Sequence, residues 1–97
     1  MFVVILLFEL HIPQSRSLKE KRKVVRGLID RMQNRFNISV AEVDWHDLHQ
    51  RSRIGVAAVR RSPSEADDLC DRLRRLVESE QRAIIVAWSP EIVKAEP

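Results

Sequence analysis

The hydrophobic positions of this chain change period from element to element, and the changes divide it into six pieces. From Phe2 to His11 the period is two. Phe2, Val4, Leu6, Phe8 and Leu10 share one face, and Val3, Ile5 and Leu7, then Glu9 and His11, share the other. That is the alternation of a β-strand, and a start that is apolar on both faces predicts a central strand covered on both sides at that end. Ile12-Pro13-Gln14 breaks the strand. From Ser17 the period lengthens to that of a helix, with a stripe of Leu18, Val25, Leu28, Ile29, Met32 and Phe36 and an end near Arg35. Ser17 is placed to cap it, and Glu20, three residues on, completes an S-x-x-E capping box. Asn37 breaks the helix. Ile38 to Val43 reads as a second strand, Asp44 to Gln50 as a polar loop, and Arg53 to Arg60 as a third strand with Ile54, Val56 and Ala58 on one face.

A second helix opens at Ser62, with Pro63 in the first helical position and Glu65 closing another capping box. Its stripe is Ala66, Leu69, Cys70, Leu73, Leu76 and Val77. Ala83 to Trp88 makes a fourth strand that resumes through Glu91 to Val93 after Pro90, and Trp88 is expected on the face of Ile84 and Val86. The resulting order, β-α-β-β-α-β, is two right-handed crossover units. It predicts an α+β, ferredoxin-like sandwich over residues 1–97: an antiparallel sheet in the order 4-1-3-2 with both helices on one face. If the helices cover Phe2, Val4, Leu6 and Phe8, then Val3, Ile5 and Leu7 point to the open face beside Ala57 and Val59. An apolar patch of that kind calls for a cover. The expected cover is a second copy of the chain, meeting the first through the open face or a strand edge; the alternative is that the C-terminal tail or the loop Asp44–Gln50 folds over it.

Composition adds less than the placement of charge. Ninety-seven residues, 44% apolar and 32% charged, describe one ordinary globular domain. The net charge is only +3, yet residues 16–35 hold eight cations and two acids, while the remainder holds nine cations and twelve acids. A basic segment on a mildly acidic body points to a local anion-binding face. Its centre is S-R-S-L-K-E-K-R-K-V-V-R, residues 15–26, where Arg16, Lys19, Lys21, Arg22, Lys23 and Arg26 surround the start of the first helix. A helix N-terminus carries about half a positive charge and disfavours cations by about 0.3–1 kcal/mol each. The pairs Lys19/Lys23 and Arg22/Arg26 add repulsion of a few tenths of a kcal/mol. The second helix obeys the same rule, with Glu65, Asp67, Asp68 and Asp71 first and Arg72, Arg74 and Arg75 last. An anion at the first helix would relieve its penalties, and phosphate groups of RNA are the expected ligand, through those six side chains. An acidic partner protein is the alternative. The open face lacks aromatics on strands one and three, which argues against base stacking there.

The motifs F-E-L-H-I-P-Q-S-R-S-L-K-E-K-R-K-V-V-R and N-R-F-N-I-S-V-A-E-V-D resemble the YlxP-like family of small bacterial proteins of unknown function. The resemblance covers nearly the whole chain. It implies a ferredoxin-like fold and no established activity, and because genes of the family often lie near those for translation initiation and ribosome maturation factors, an RNA-linked role. One departure is visible: the family often places a Trp before Gln-Arg after D-x-x-D-L, where this chain has His49.

Other chemistries carry less. Arg16 and Asn37 fit the phosphate-handling roles of an acylphosphatase, but the loop Ile12–Ser17 has no glycine to wrap a phosphate. Asp44, His46, Asp47 and His49 are metal-ligand types without diagnostic spacing, expected as a solvated or interface loop. No nucleophile–base–orienter set is readable, so the expectation is a protein without a catalytic centre, metal or cofactor. The single cysteine, Cys70, allows no internal disulfide and sits on an apolar stripe. The run Met1–Phe8 is too short to span a membrane and lacks signal-peptide features, so a cytoplasmic location is expected.

Overall fold

The computed structural model describes residues 1–96. Its elements are β1 (Phe2–His11), α1 (Leu18–Arg35), β2 (Ser39–Asp44), β3 (Arg51–Arg60), α2 (Pro63–Glu78) and β4 (Ile84–Lys94). All strand pairs are antiparallel, and the sheet order β2-β3-β1-β4 is the expected 4-1-3-2 read from the other edge. The fold is ferredoxin-like.

Alternation in β1 and β3 decides which side is covered. Val4, Leu6, Phe8 and Leu10, with Ile54, Val56 and Ala58, are buried under the helices. All six expected stripe residues of α2 join them. In α1 the buried set is Lys21, Val24, Val25, Leu28 and Met32, while Ile29 and Phe36 are only partly buried. Burial pushes the Cys70 thiol up, and Asp67 and Asp71 push it the same way, as expected of a core residue rather than a nucleophile. Ser17 and Ser62 cap their helices, accepting from the N–H of Glu20 (3.1 Å) and Glu65 (3.2 Å). The reciprocal half of each box differs from expectation. Glu20 and Glu65 accept from the backbone N–H of Arg16 and Arg61, one residue before the cap.

β4 departs most from the sequence reading. It runs without interruption through Pro90, which an edge strand tolerates because the missing donor can face outward. A bulge opposite Glu9 and Leu10 shifts its register, pairing Ile85 with Leu10 and Trp88 with Phe8. Ile85 and Trp88 therefore turn toward the helices, and Ile84 and Val86 are exposed, so Trp88 does not share their face. Its ring centroid lies 5.1 Å from that of Phe8, and the Arg74 guanidinium lies 5.2 Å from the same Trp88 centroid.

The opposite face of the sheet is open. Ile5 (45% exposed), Leu7 (39%), Val43 (54%) and Val59 (57%) lie on it. Leu7 pairs with Gly55, and a Cβ on Gly55 would stand 3.0 Å from Val43, which folds over that position.

Candidate nucleic-acid interface

The basic segment is held by the chain just before it. Ile12 donates its N–H to Gln50 (2.8 Å), and the Gln50 amide donates to the carbonyls of Pro13 and Ser15 (3.1 Å each). The Ser15 hydroxyl donates to the carbonyl of Ser17 (3.0 Å), so the entry into α1 is fixed from both sides. Beyond it, α1 turns Lys19, Arg22, Lys23 and Arg26 outward along one solvent face that also holds Gly27 and Asp30. Nothing lies within 4 Å of where a Gly27 side chain would begin, so packing does not require glycine there.

Lys21 does not belong to this face. Its side chain is fully buried, and its ammonium donates to Glu42 (2.8 Å) and to the carbonyls of Trp45 (3.1 Å) and His46 (3.3 Å). All three donors are used, and none remains for a phosphate. The reason is positional. Lys21, Val25, Leu28 and Met32 follow one another at four, three and four residues, so Lys21 is the first position of the buried stripe. Glu42 also accepts from the Ser52 hydroxyl (2.6 Å) and meets Nδ1 of His46 (3.0 Å). Burial alone pushes the Glu42 carboxyl up, but the Lys21 and Ser52 hydrogen bonds, the Lys21 charge and His46 outweigh it and hold it below its usual 4.5.

The turn after β2 supplies the carbonyls. Trp45 is the one non-glycine residue with a positive φ among the described residues, 64°, and Asp44 accepts from its N–H (2.8 Å). That left-handed residue turns the chain so that two successive carbonyls face Lys21. Above it, Arg53 sits 4.3 Å from the Trp45 ring and bonds Glu9 (2.8 Å) and Asp44 (3.1 Å). Asp44 and His46 thus serve Arg53 and Glu42. Among the described residues no group of three His, Cys, Asp or Glu side chains is arranged to hold a metal ion. Arg16 and Asn37 lie at opposite ends of α1, whose 18 residues span about 27 Å, and do not form one site.

The remaining five of the six expected residues share a property. Arg31, Arg53, Arg61, Arg72, Arg74, Arg82 and Lys94 have carboxylate partners, as does Lys21. Arg16, Lys19, Arg22, Lys23 and Arg26 have none among the described residues and are exposed. The structure keeps together, unneutralised, the cations that strain the start of α1.

Residues 3–89 match the family described as "Protein of unknown function (DUF503)". The chain belongs to this family. It is 38% identical over 63 residues to the uncharacterized protein YlxP of Bacillus subtilis (strain 168), an alignment covering 65% of this chain and 68% of that protein. It also resembles the solution structure of a de novo designed protein with a ferredoxin fold. The TM-score is 0.54 at 10% identity, over 98% of this chain and 88% of the other, which is a likeness of fold alone. No helix among the described residues is long and apolar enough to cross a membrane.

Proposed function

We propose that this is a cytoplasmic accessory protein that docks RNA, ribosomal RNA in the first place, on the outer face of α1. One observation carries the reading: five exposed cations without carboxylate partners, running from the entry of α1 along the first half of the helix. Arg16, Lys19, Arg22, Lys23 and Arg26 contact phosphates, and Lys21 supports the helix from inside. Cations in this arrangement grip backbone and shape rather than base edges. The test is fluorescence anisotropy of labelled ribosomal RNA fragments against salt. Five phosphate contacts predict a log–log slope of about −3.5 to −4.5, so affinity falls by about 100- to 500-fold between about 50 and 200 mM salt. A flat salt response, or tighter capture of acidic proteins than of RNA, would transfer the site to a protein partner.

The open face supports a second copy of the chain as its cover. Three strands of ten or eleven residues and one of six, about 4.8 Å apart, offer about 570 Å² before side-chain relief is counted, against the roughly 800 Å² per partner of a stable interface. Arg53 is already neutralised there by Glu9 and Asp44, which leaves the centre apolar and gives an anion no hold. Pro90 in β4 weakens the competing edge-to-edge pairing. Sedimentation should show a dimer that Ile5→Lys with Val59→Lys converts to monomer, with folding retained because both side chains are exposed. A monomer in the unaltered protein at high concentration would refute this mode of covering.

A further inference from the structure

Outside the α1 face, four more cations lack a carboxylate partner among the described residues: Arg35, Arg51, Arg60 and Arg75. Three of them, Arg35, Arg60 and Arg75, line clefts at the other end of α1. Two adjoining clefts of about 430 and 460 Å³ run between that end and α2, sharing Arg35, Phe36 and Arg72 as walls. Arg60 lines the first cleft and Arg75 the second. Their volumes are those of small-molecule sites.

The local electrostatics leave a surplus of positive charge. Arg72 is matched by Asp68 (2.9 Å) and Arg61 by Glu65 (3.1 Å), whereas Arg35, Arg60 and Arg75 are unmatched. Arg60 is oriented by the carbonyls of Asn37 (3.4 Å) and Val59 (2.7 Å), which fixes its guanidinium at the wall. The helix C-termini account for basic residues at Arg35 and Arg75. They do not account for Arg60, and Phe36, which is partly buried against the core, also lines both clefts beside these guanidiniums. Planar, forked donors suit a phosphate, and an aromatic face suits a base.

We infer that this cleft is a nucleotide site, with Arg35, Arg60 and Arg75 on the phosphates and Phe36 against the base. It stands apart from the RNA face, because α1 separates the two by much of its length. The nucleotide is either free or the 5′-phosphorylated end of an RNA strand, and both present the same groups.

Isothermal titration calorimetry with ADP, adenosine, pyrophosphate and a 5′-phosphorylated tetranucleotide tests this. ADP or the phosphorylated tetranucleotide should bind more tightly than either adenosine or pyrophosphate, and which of the two is tighter identifies the source. Arg35→Gln with Arg75→Gln, both at exposed positions, should weaken that binding roughly tenfold or more. Phe36→Leu should weaken the nucleotide and leave pyrophosphate unchanged. Replacing Lys19, Arg22, Lys23 and Arg26 by Gln should leave ADP binding intact, so this site and the RNA face can fail separately. No saturable binding of ADP or the tetranucleotide at millimolar concentration would overturn the inference. So would binding indifferent to the Arg35/Arg75 pair, or pyrophosphate binding as tightly as the nucleotide.

Discussion

Lys21→Ala is expected to destabilise the protein by about 3 kcal/mol or more, within the usual 3–5 kcal/mol for breaking a buried ion pair from one side. The change leaves Glu42, whose side chain is only 12% exposed, without its cation, and leaves the carbonyls of Trp45 and His46 without a donor. It also removes methylenes from a fully buried site. Against a total stability of about 5–15 kcal/mol for a domain of this kind, the loss is large. Chemical denaturation reads it directly. The double variant Lys21→Met with Glu42→Met should recover part of the loss, because it strands no charge, while the Trp45 and His46 carbonyls and the Ser52 hydroxyl still lack their partners. The same network carries an acid limb. The Glu42 carboxyl is held below its usual 4.5, so its stabilisation is present above that value and fades as pH falls through the lower folded-state value. Lys21→Ala should flatten that limb. A cost under about 1 kcal/mol, with the acid limb unchanged, would show that the lysine is a passive filler.

Neutralising the outer face should do the opposite to stability and far more to binding. With Lys19, Arg22, Lys23 and Arg26 all changed to Gln, only Arg16 is left of the five exposed cations. The salt slope should fall to about −1, and RNA affinity at low salt should drop by two orders of magnitude or more. The fold should hold. None of the four has an ion partner to lose, and removing like charges four residues apart at a positive helix end relieves a few tenths of a kcal/mol per pair. A melting temperature unchanged or slightly raised, together with lost binding, separates a functional surface from a structural one. Unchanged RNA affinity would end the RNA reading. A variant that melts early would show that the four side chains pack rather than bind.

The two experiments differ by the fate of neighbouring residues in one sequence run, and that difference marks how far the sequence could be read. Periods of two and 3.6, the two serine caps and the Pro63 start were enough for the element order, because each is a local property of a few consecutive residues. The open apolar face followed from the same alternation. The candidate site was legible only as a cluster of charge at a helix start, of which five cations are exposed and Lys21 is buried. Lys21 was misplaced because its type argued for solvent while its spacing to Val25, Leu28 and Met32 argued for the core. The spacing was the available signal. The clefts around Phe36 had none, since Arg35, Arg60 and Arg75 are far apart along the chain.

What the sequence alone determined about this protein, then, is its succession of strands and helices, its covered and uncovered sheet faces, and the concentration of cations at the start of α1. The tertiary structure decided which of those cations face water. A lysine enters the core only if a carboxylate and two carbonyls meet it there, and these come from residues 21 to 25 positions away, on β2 and its turn. It also decided the side taken by Trp88, because a bulge opposite Glu9 and Leu10 reverses the alternation that strand spacing implies. Both depend on which strands lie side by side, and local periodicity carries no information about that.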